Sequence, residues 1–233
     1  MATDIKNDAS LGASLVSCWL SDESSLTEDL FGSNTLTNNN TVTTTTGKQG
    51  TTASLNGTNQ SLTLASFSVS NPLSIGFWIK EITRVDTPDP ADANMLFFSD
   101  VQFAEASLDN GELKHADKNG SAWRATGVSI TVDTWTHIIY ASDTNAIEIF
   151  KNGVSVYTAS GANLGFANFA NGFTLGAWEN PPSKGWADID LNQVVVWSKK
   201  LNSTNASDLY NGGTGIPFEA SASSFPDMRL AFI

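Results

Sequence analysis

The chain has 233 residues, 40% hydrophobic and only 15% charged, with abundant Thr, Ser, Asn and Gly, the composition of one all-β domain of short strands and polar turns rather than a helical bundle. Twelve basic against 24 acidic residues leave a formal charge of −12, which repels phosphate backbones and anionic membranes and argues against nucleic acid as a partner. One cysteine and two histidines exclude an intrachain disulfide framework and metal sites built on Cys or several His, leaving oxygen-ligated Ca²⁺ as the cation to consider.

In chain order, residues 1–11 read as an N-terminal arm, 12–216 as one domain and 217–233 as an apolar tail. "LVSC", Leu15 to Cys18, is similar to a lipoprotein cleavage box, but the preceding MATDIKND carries two Asp to one Lys and lacks the basic start and apolar run of a signal peptide. No apolar stretch is long enough to span a membrane. Strands are expected at Leu15 to Leu20, Ser61 to Phe67, Leu73 to Lys80, Met95 to Ser99 and Gly127 to Val132. Residues 31–50, rich in Thr and Asn, read as a loop with a strand fragment. "LSIGFWIK" sets Leu73, Ile75, Phe77 and Ile79 against Ser74, Gly76, Trp78 and Lys80, the period of a half-buried strand.

Three further strands follow at Thr136 to Ala141, Ala146 to Phe150 and Val154 to Thr158, the last two joined by Asn152-Gly153, a pair suited to the positive φ angles of a type I′ turn. Strands at Gly172 to Gly176 and Asp188 to Trp197 close the set. "NSTNASDLYNGG" predicts one short helix, with Ser203 or Thr204 as N-cap and Gly212 or Gly213 ending it. The tail carries Phe225, Met228, Leu230, Phe232 and Ile233, and either docks as a last strand or waits for a partner surface. So many short strands with regular turns predict an antiparallel β-sandwich or barrel.

Taken in order, several stretches resemble the laminin G-like branch of the concanavalin A-like jelly rolls. "SLVSCWLSDES" resembles the opening strand, "ASLNGTNQSLTLAS" and "PLSIGFWIK" two internal elements, and "WTHIIYASDTNAIEIFKNGVSVYT" a strand pair. "VVVWSKKLNSTNASDLYNGG" resembles the closing strand and short helix. The similarity runs from about residue 12 to residue 214 and implies two antiparallel sheets face to face, with a concave sheet and a rim of loops available for ligands.

The same superfamily contains laminarinase-type glycoside hydrolases whose active strand reads E-I-D-x-x-E. "KGWADIDLNQ" places Asp188, Asp190 and Gln193 in that rhythm. Retaining hydrolysis needs two carboxyl groups about 5–5.5 Å apart, and Gln193 supplies none, so the domain is expected to be non-catalytic. Two readings of Asp188, Asp190 and Asn192 stay open: a solvated strand face, or structural Ca²⁺. The resemblance implies Asp22, Asn56 with its turn, and Asp188 or Asp190 as its ligands.

Sugars bind by stacking on aromatic rings and by hydrogen bonds to polar side chains. Trp123, Trp178 and Trp186 lie in polar or Gly/Pro-rich surroundings, whereas Trp19, Trp78, Trp135 and Trp197 belong to strand patterns. "AWENPPSKGW" is the best binding loop by sequence, with Glu179, Asn180 and Lys184 between its two tryptophans, and "EITRVDTPDPADAN", residues 81–94, is the second. His115 and His137 read as structural. Two functions remain: a recognition module for glycans or a protein surface, adhesive and displayed extracellularly, and a structural or decorating protein of a virion or other large assembly. The second forms a homo-oligomer or a capsid or tail lattice through residues 217–233 and places the chain on a virion surface.

Overall fold

A computed structural model of the chain describes residues 4–20, 25–99, 105–118, 122–170, 172–179 and 181–219. Fifteen strands are present among them: β1 (Leu15–Trp19), β2 (Thr37–Asn39), β3 (Thr43–Thr46), β4 (Thr51–Ser54), β5 (Ser61–Leu64), β6 (Leu73–Glu81), β7 (Asn94–Ser99), β8 (Ala106–Asp109), β9 (Glu112–Ala116), β10 (Trp123–Ser129), β11 (Thr136–Asp143), β12 (Ala146–Lys151), β13 (Val154–Ser160), β14 (Phe173–Leu175) and β15 (Ile189–Trp197). They form two antiparallel sheets. The first runs β13-β12-β11-β6-β15-β4-β3, with β1 also on β15, and the second runs β10-β9-β8-β7-β14-β5-β2. Strand β15 pairs with β6 along one edge; along the other, β4 meets residues 190–192 and β1 meets 194–197.

The layers are those of a concanavalin A-like jelly roll. Between the sheets lie Ile75, Phe77 and Ile79 of β6, Val194 and Val196 of β15, and Leu62, Phe97, Leu113 and Phe173 of the second sheet. Aromatic rings knit this core: Trp19 stacks on Phe173 at 5.9 Å between centroids, and Phe97 meets Tyr140 and Phe166 edge to face at 5.6 Å. His115 and His137 are buried, and desolvation lowers their pKa values to about 4 and about 3, so both are neutral structural groups at physiological pH.

The first sheet has a second covering, which corrects the half-buried reading of β6. Ile5, Leu11, Leu201, Ala206, Leu209, Ile216 and Phe218 pack with Ile139, Val195 and Trp197 against its outer face, so β6 is buried on both sides apart from Lys80. The tail begins docked, not as a strand: Ile5 and Lys6 donate their N–H groups to the carbonyls of Pro217 and Phe218. Phe225 and the residues beyond it lie outside the described residues. Cys18 is a buried residue of β1 opposite Val195; cleavage before it would remove Ile5, Leu11 and Leu15 from the core, against the lipoprotein reading. No helix of the described residues is long and apolar enough to cross a membrane.

Helix α1 (Ser203–Tyr210) corrects the expected cap: Asn202 is the N-cap, accepting from the Asn205 N–H, while the Asn205 side chain accepts from the Asn202 N–H. A short amide reaches the third helical N–H as well as a hydroxyl does. Asn211, in the left-handed conformation at φ 44°, ends the helix ahead of the two glycines.

Asp190 and Asn192 are buried, so the solvated-face reading of this strand also fails. Asn192 Nδ2 donates to the carbonyls of Leu20 (2.8 Å), Gln49 (3.1 Å) and Thr51 (2.6 Å), and its Oδ1 accepts from the Gln49 N–H at 2.8 Å. Two amide hydrogens serve three acceptors, so one is shared. Asn192→Leu keeps the volume and removes every one of these bonds. We expect a loss on the order of 3–5 kcal/mol in urea denaturation, because several buried backbone groups lose their partners at once; a loss under about 1 kcal/mol would show that solvent reaches them.

Candidate functional site

The outer face of the second sheet carries the 177–187 loop; along its central strands the outward side chains are buried, and they reach solvent towards Thr37 and Trp123. Side chains alternate along a strand, and because Leu62, Phe173, Phe97, Ala106 and Leu113 face the core, their neighbours face out. One outward row follows from the register: Thr37 opposite Thr63, Thr63 opposite Thr174, Thr174 opposite Phe98. Since Phe97 pairs with Ala106 and Ala106 with His115, the row continues to Glu105, Ala116 and Trp123. The Ala116 N–H to Glu105 O bond at 3.1 Å confirms the pairing.

The 177–187 loop crosses this row. Trp178 packs edge to face on Phe98, with ring centroids 5.8 Å apart, and its Nε1 donates to Glu105 Oε2 at 3.3 Å. Thr174 Oγ1 donates to the Glu179 carbonyl at 2.9 Å, and Ser183 Oγ to Glu179 Oε2 at 2.6 Å. Lys184 pairs main chain with Trp178 and sets its Nζ 4.7 Å from the Trp178 ring centroid. That ammonium is held 3.2 Å from Asp89 Oδ2 and 3.0 Å from Asp92 Oδ1. Asp89 caps a 3₁₀ turn, Pro90–Asp92, and its carboxyl is held below the usual range by the Ala91 N–H and by Lys184. The two loops singled out by sequence therefore meet. Gly185 permits the contact: at φ 63° a Cβ there would lie 2.4 Å from the Ala91 carbonyl oxygen.

Glu105 is the group that sequence reasoning missed. It is 3% exposed, its Oε2 carries the Trp178 bond, and its Oε1 has no partner among the described residues. Desolvation pushes its pKa up to about 7; the Trp178 bond and Lys184 oppose that, while Asp89 and Glu179 reinforce it. The Asn110-Gly111 turn between β8 and β9, with φ 48° and 74°, was the legible signal for the hairpin that Glu105 precedes.

The predicted site residues divide. Trp178, Glu179 and Lys184 stand together, half-buried. Trp123, expected in a loop, belongs to β10; it lies on the same outer face about three strand spacings from Phe98, or ~14 Å. Trp186 is half-buried on the far arm of the same loop. Asn180 and Asp22 lie outside the described residues. Of the described members of the calcium set, the Asn56 turn and Asp188 lie together, with Gly57 directly against the Asp188 Cβ. The Asn56 Oδ1 accepts from the N–H groups of Thr58 and Asn59. Asp190 Oδ2 lies 2.7 Å from Lys80 Nζ, while its buried Oδ1 has no hydrogen-bond partner among the described residues. Among the described residues no group of three or more His, Cys, Asp and Glu side chains is placed to hold a metal ion.

The family model for the concanavalin A-like lectin/glucanases superfamily matches residues 56–207. The chain belongs to this superfamily. Among solved structures, domain 4 of AbnA, a GH43 extracellular arabinanase from Geobacillus stearothermophilus in complex with arabinotriose, is similar at TM-score 0.60 and 24% identity, over 84% of this chain and 97% of that one. The binding domain of Paraclostridial Mosquitocidal Protein 1 is similar at TM-score 0.63 and 20% identity, over 85% of this chain and 52% of that one. A botulinum neurotoxin type C chain, which depends on two ganglioside molecules to enter cells, is similar at 0.64 and 15%, over 87% and 52%. The chain thus spans about half the length of the two toxin chains. No curated protein sequence matches it. Against the hydrolases of the superfamily, the strand in question holds Asp190 on Lys80, and Gln193, in a bulge at φ 48°, donates its Nε2 to the Ile216 carbonyl; neither is placed as a catalytic carboxyl.

A carboxyl pKa raised from 4.5 to about 7 means the folded state holds the Glu105 proton more tightly than the unfolded chain. The stability it contributes is complete below the unfolded pKa and is lost as pH rises through 7. Replacing it by Gln keeps an acceptor for Trp178 and removes the titration. Urea midpoints at pH 5 and pH 8 are therefore expected to favour Glu105→Gln over the parent only at the higher pH, by on the order of 2–3 kcal/mol. A difference that does not change with pH would show that Glu105 does not titrate in this window.

Proposed function

We propose that the chain is a non-catalytic recognition module that binds a glycan on the outer face of its second sheet. The observation that carries this reading is the placement of two half-buried indoles, Trp178 and Trp123, on one sheet face, with Lys184 tying the loop of Trp178 to Asp89 and Asp92. A span of ~14 Å between strands β7 and β10 suits a short oligosaccharide stacking at both ends. Membership of a lectin-bearing superfamily supports it, as does AbnA domain 4 with arabinotriose, because the likeness covers nearly that whole chain. The mosquitocidal protein's binding domain and the ganglioside-dependent toxin chain lend support as carriers of the same fold. Extracellular display, where glycans are met, belongs to the same proposal, and a glycosylated protein surface would present the ligand equally well.

The mechanism is binding alone. Stacking on an indole buries the apolar face of a sugar ring, and the surrounding polar side chains fix its orientation. Lys184 already lies over Trp178, so a ligand must share or displace that contact. Calorimetric titration with arabinotriose, alongside a glycan array, tests the reading with Trp178→Ala and Trp123→Ala. Each variant is expected to weaken binding roughly tenfold, about 1.4 kcal/mol. Undiminished binding by the double variant would move the site off this face; no binding to any glycan by the folded parent would end the reading.

A further inference from the structure

Resting on that reading, we infer that the site selects its glycan by charge: it takes neutral or amino-bearing sugars and turns away sialylated and uronate-bearing ones. Four carboxyl groups, of Asp89, Asp92, Glu105 and Glu179, surround one indole, and a single ammonium, that of Lys184, stands among them. That ammonium is committed to Asp89 and Asp92 at 3.2 and 3.0 Å. An incoming carboxylate therefore meets Glu179 and Glu105, with no uncommitted ammonium beside them among the described residues, in a setting where burial weakens screening. The chain's net charge of −12 acts in the same direction at longer range.

Two further observations point to the favoured class. Glu105 is nearly fully buried and its Oε1 has no hydrogen-bond partner among the described residues. Ionised, it is an acceptor that a hydroxyl or an ammonium satisfies and a carboxylate does not; burial, which raises its pKa to about 7, makes this discrimination strongest above that pH. The second is the position of Lys184 itself, 4.7 Å from the Trp178 centroid. The chain's own ammonium occupies the spot where a cation is attracted by the ring, flanked by two carboxylates, so an amino sugar finds a prepared place there and competes with Lys184 for it.

The test is a glycan array carrying neutral, amino-bearing and sialylated oligosaccharides, followed by titration with arabinotriose, a glucosamine trimer and sialyllactose at low and high salt. The parent protein is expected to bind the first two at least tenfold tighter than sialyllactose, with the gap narrowing as salt rises. The double variant Glu105→Gln, Glu179→Gln is expected to gain at least fivefold for sialyllactose. Array hits that are mainly sialylated, or equal affinity for all three probes, overturn the charge selection while leaving glycan binding intact. No hits of any class from protein that remains folded overturn both.

Discussion

A single side-chain amide sets the register of the molecule. Asn192 sits midway along β15, the strand that joins β6 to both β1 and β4, and ties the carbonyls of Leu20, Gln49 and Thr51 to one point. These groups lie where β1 ends and the β3–β4 hairpin turns back, and the Leu20 carbonyl accepts from the Gln193 N–H of β15 as well. Buried carbonyls without partners are expensive. With the amide in place, β15 can run through the centre of the sheet with all nine residues buried. The bulge at Gln193 follows directly, turning the next side chain to the Ile216 carbonyl and helping to hold the second covering layer down.

That covering layer decides where function can reside. The central strands of the first sheet, β6 and β15, are buried on both faces by segments at both ends of the described chain together with α1, while β3 and β13 at its edges stay largely exposed. The outer face of the second sheet is crossed by the loop that carries Trp178, which packs on Phe98. The loop's path depends on Gly176 and Gly185, both at positive φ and both too close to neighbours for a Cβ. Two glycines, two aspartates and a lysine thus place Trp178 over Phe98.

The fold was legible to the extent that it rests on period-two alternation and turn chemistry. Strands β6, β11, β12 and β13 stand within a few residues of expectation, because alternating apolar side chains and Asn152-Gly153 leave little freedom. Strands β8 and β9 were missed, since "EASLDNGELKHA" mixes charges into a face that loops later cover. Alternation also misled at β6 and β15: polar residues in an alternating strand look solvated when a second layer, built from residues far away in sequence, in fact covers them. Of the site, the indoles and both loops could be read locally. Glu105, Asp89 and Asp92 gain their meaning only from strand pairing and a loop-to-loop ion pair, which no local pattern encodes.

The described chain begins and ends on one side. Ile5 and Lys6 are stitched to Pro217 and Phe218, and this seam lies over the first sheet, across the full thickness of the sandwich from Trp178. Two stacked sheets put about 10 Å between their backbones, with the side chains of both outer faces beyond that. The seam and the proposed glycan-binding face are therefore opposite poles of the sandwich. Loss of the seam's backbone bonds would loosen the cover of the first sheet and leave the packing of Trp178 on Phe98 untouched.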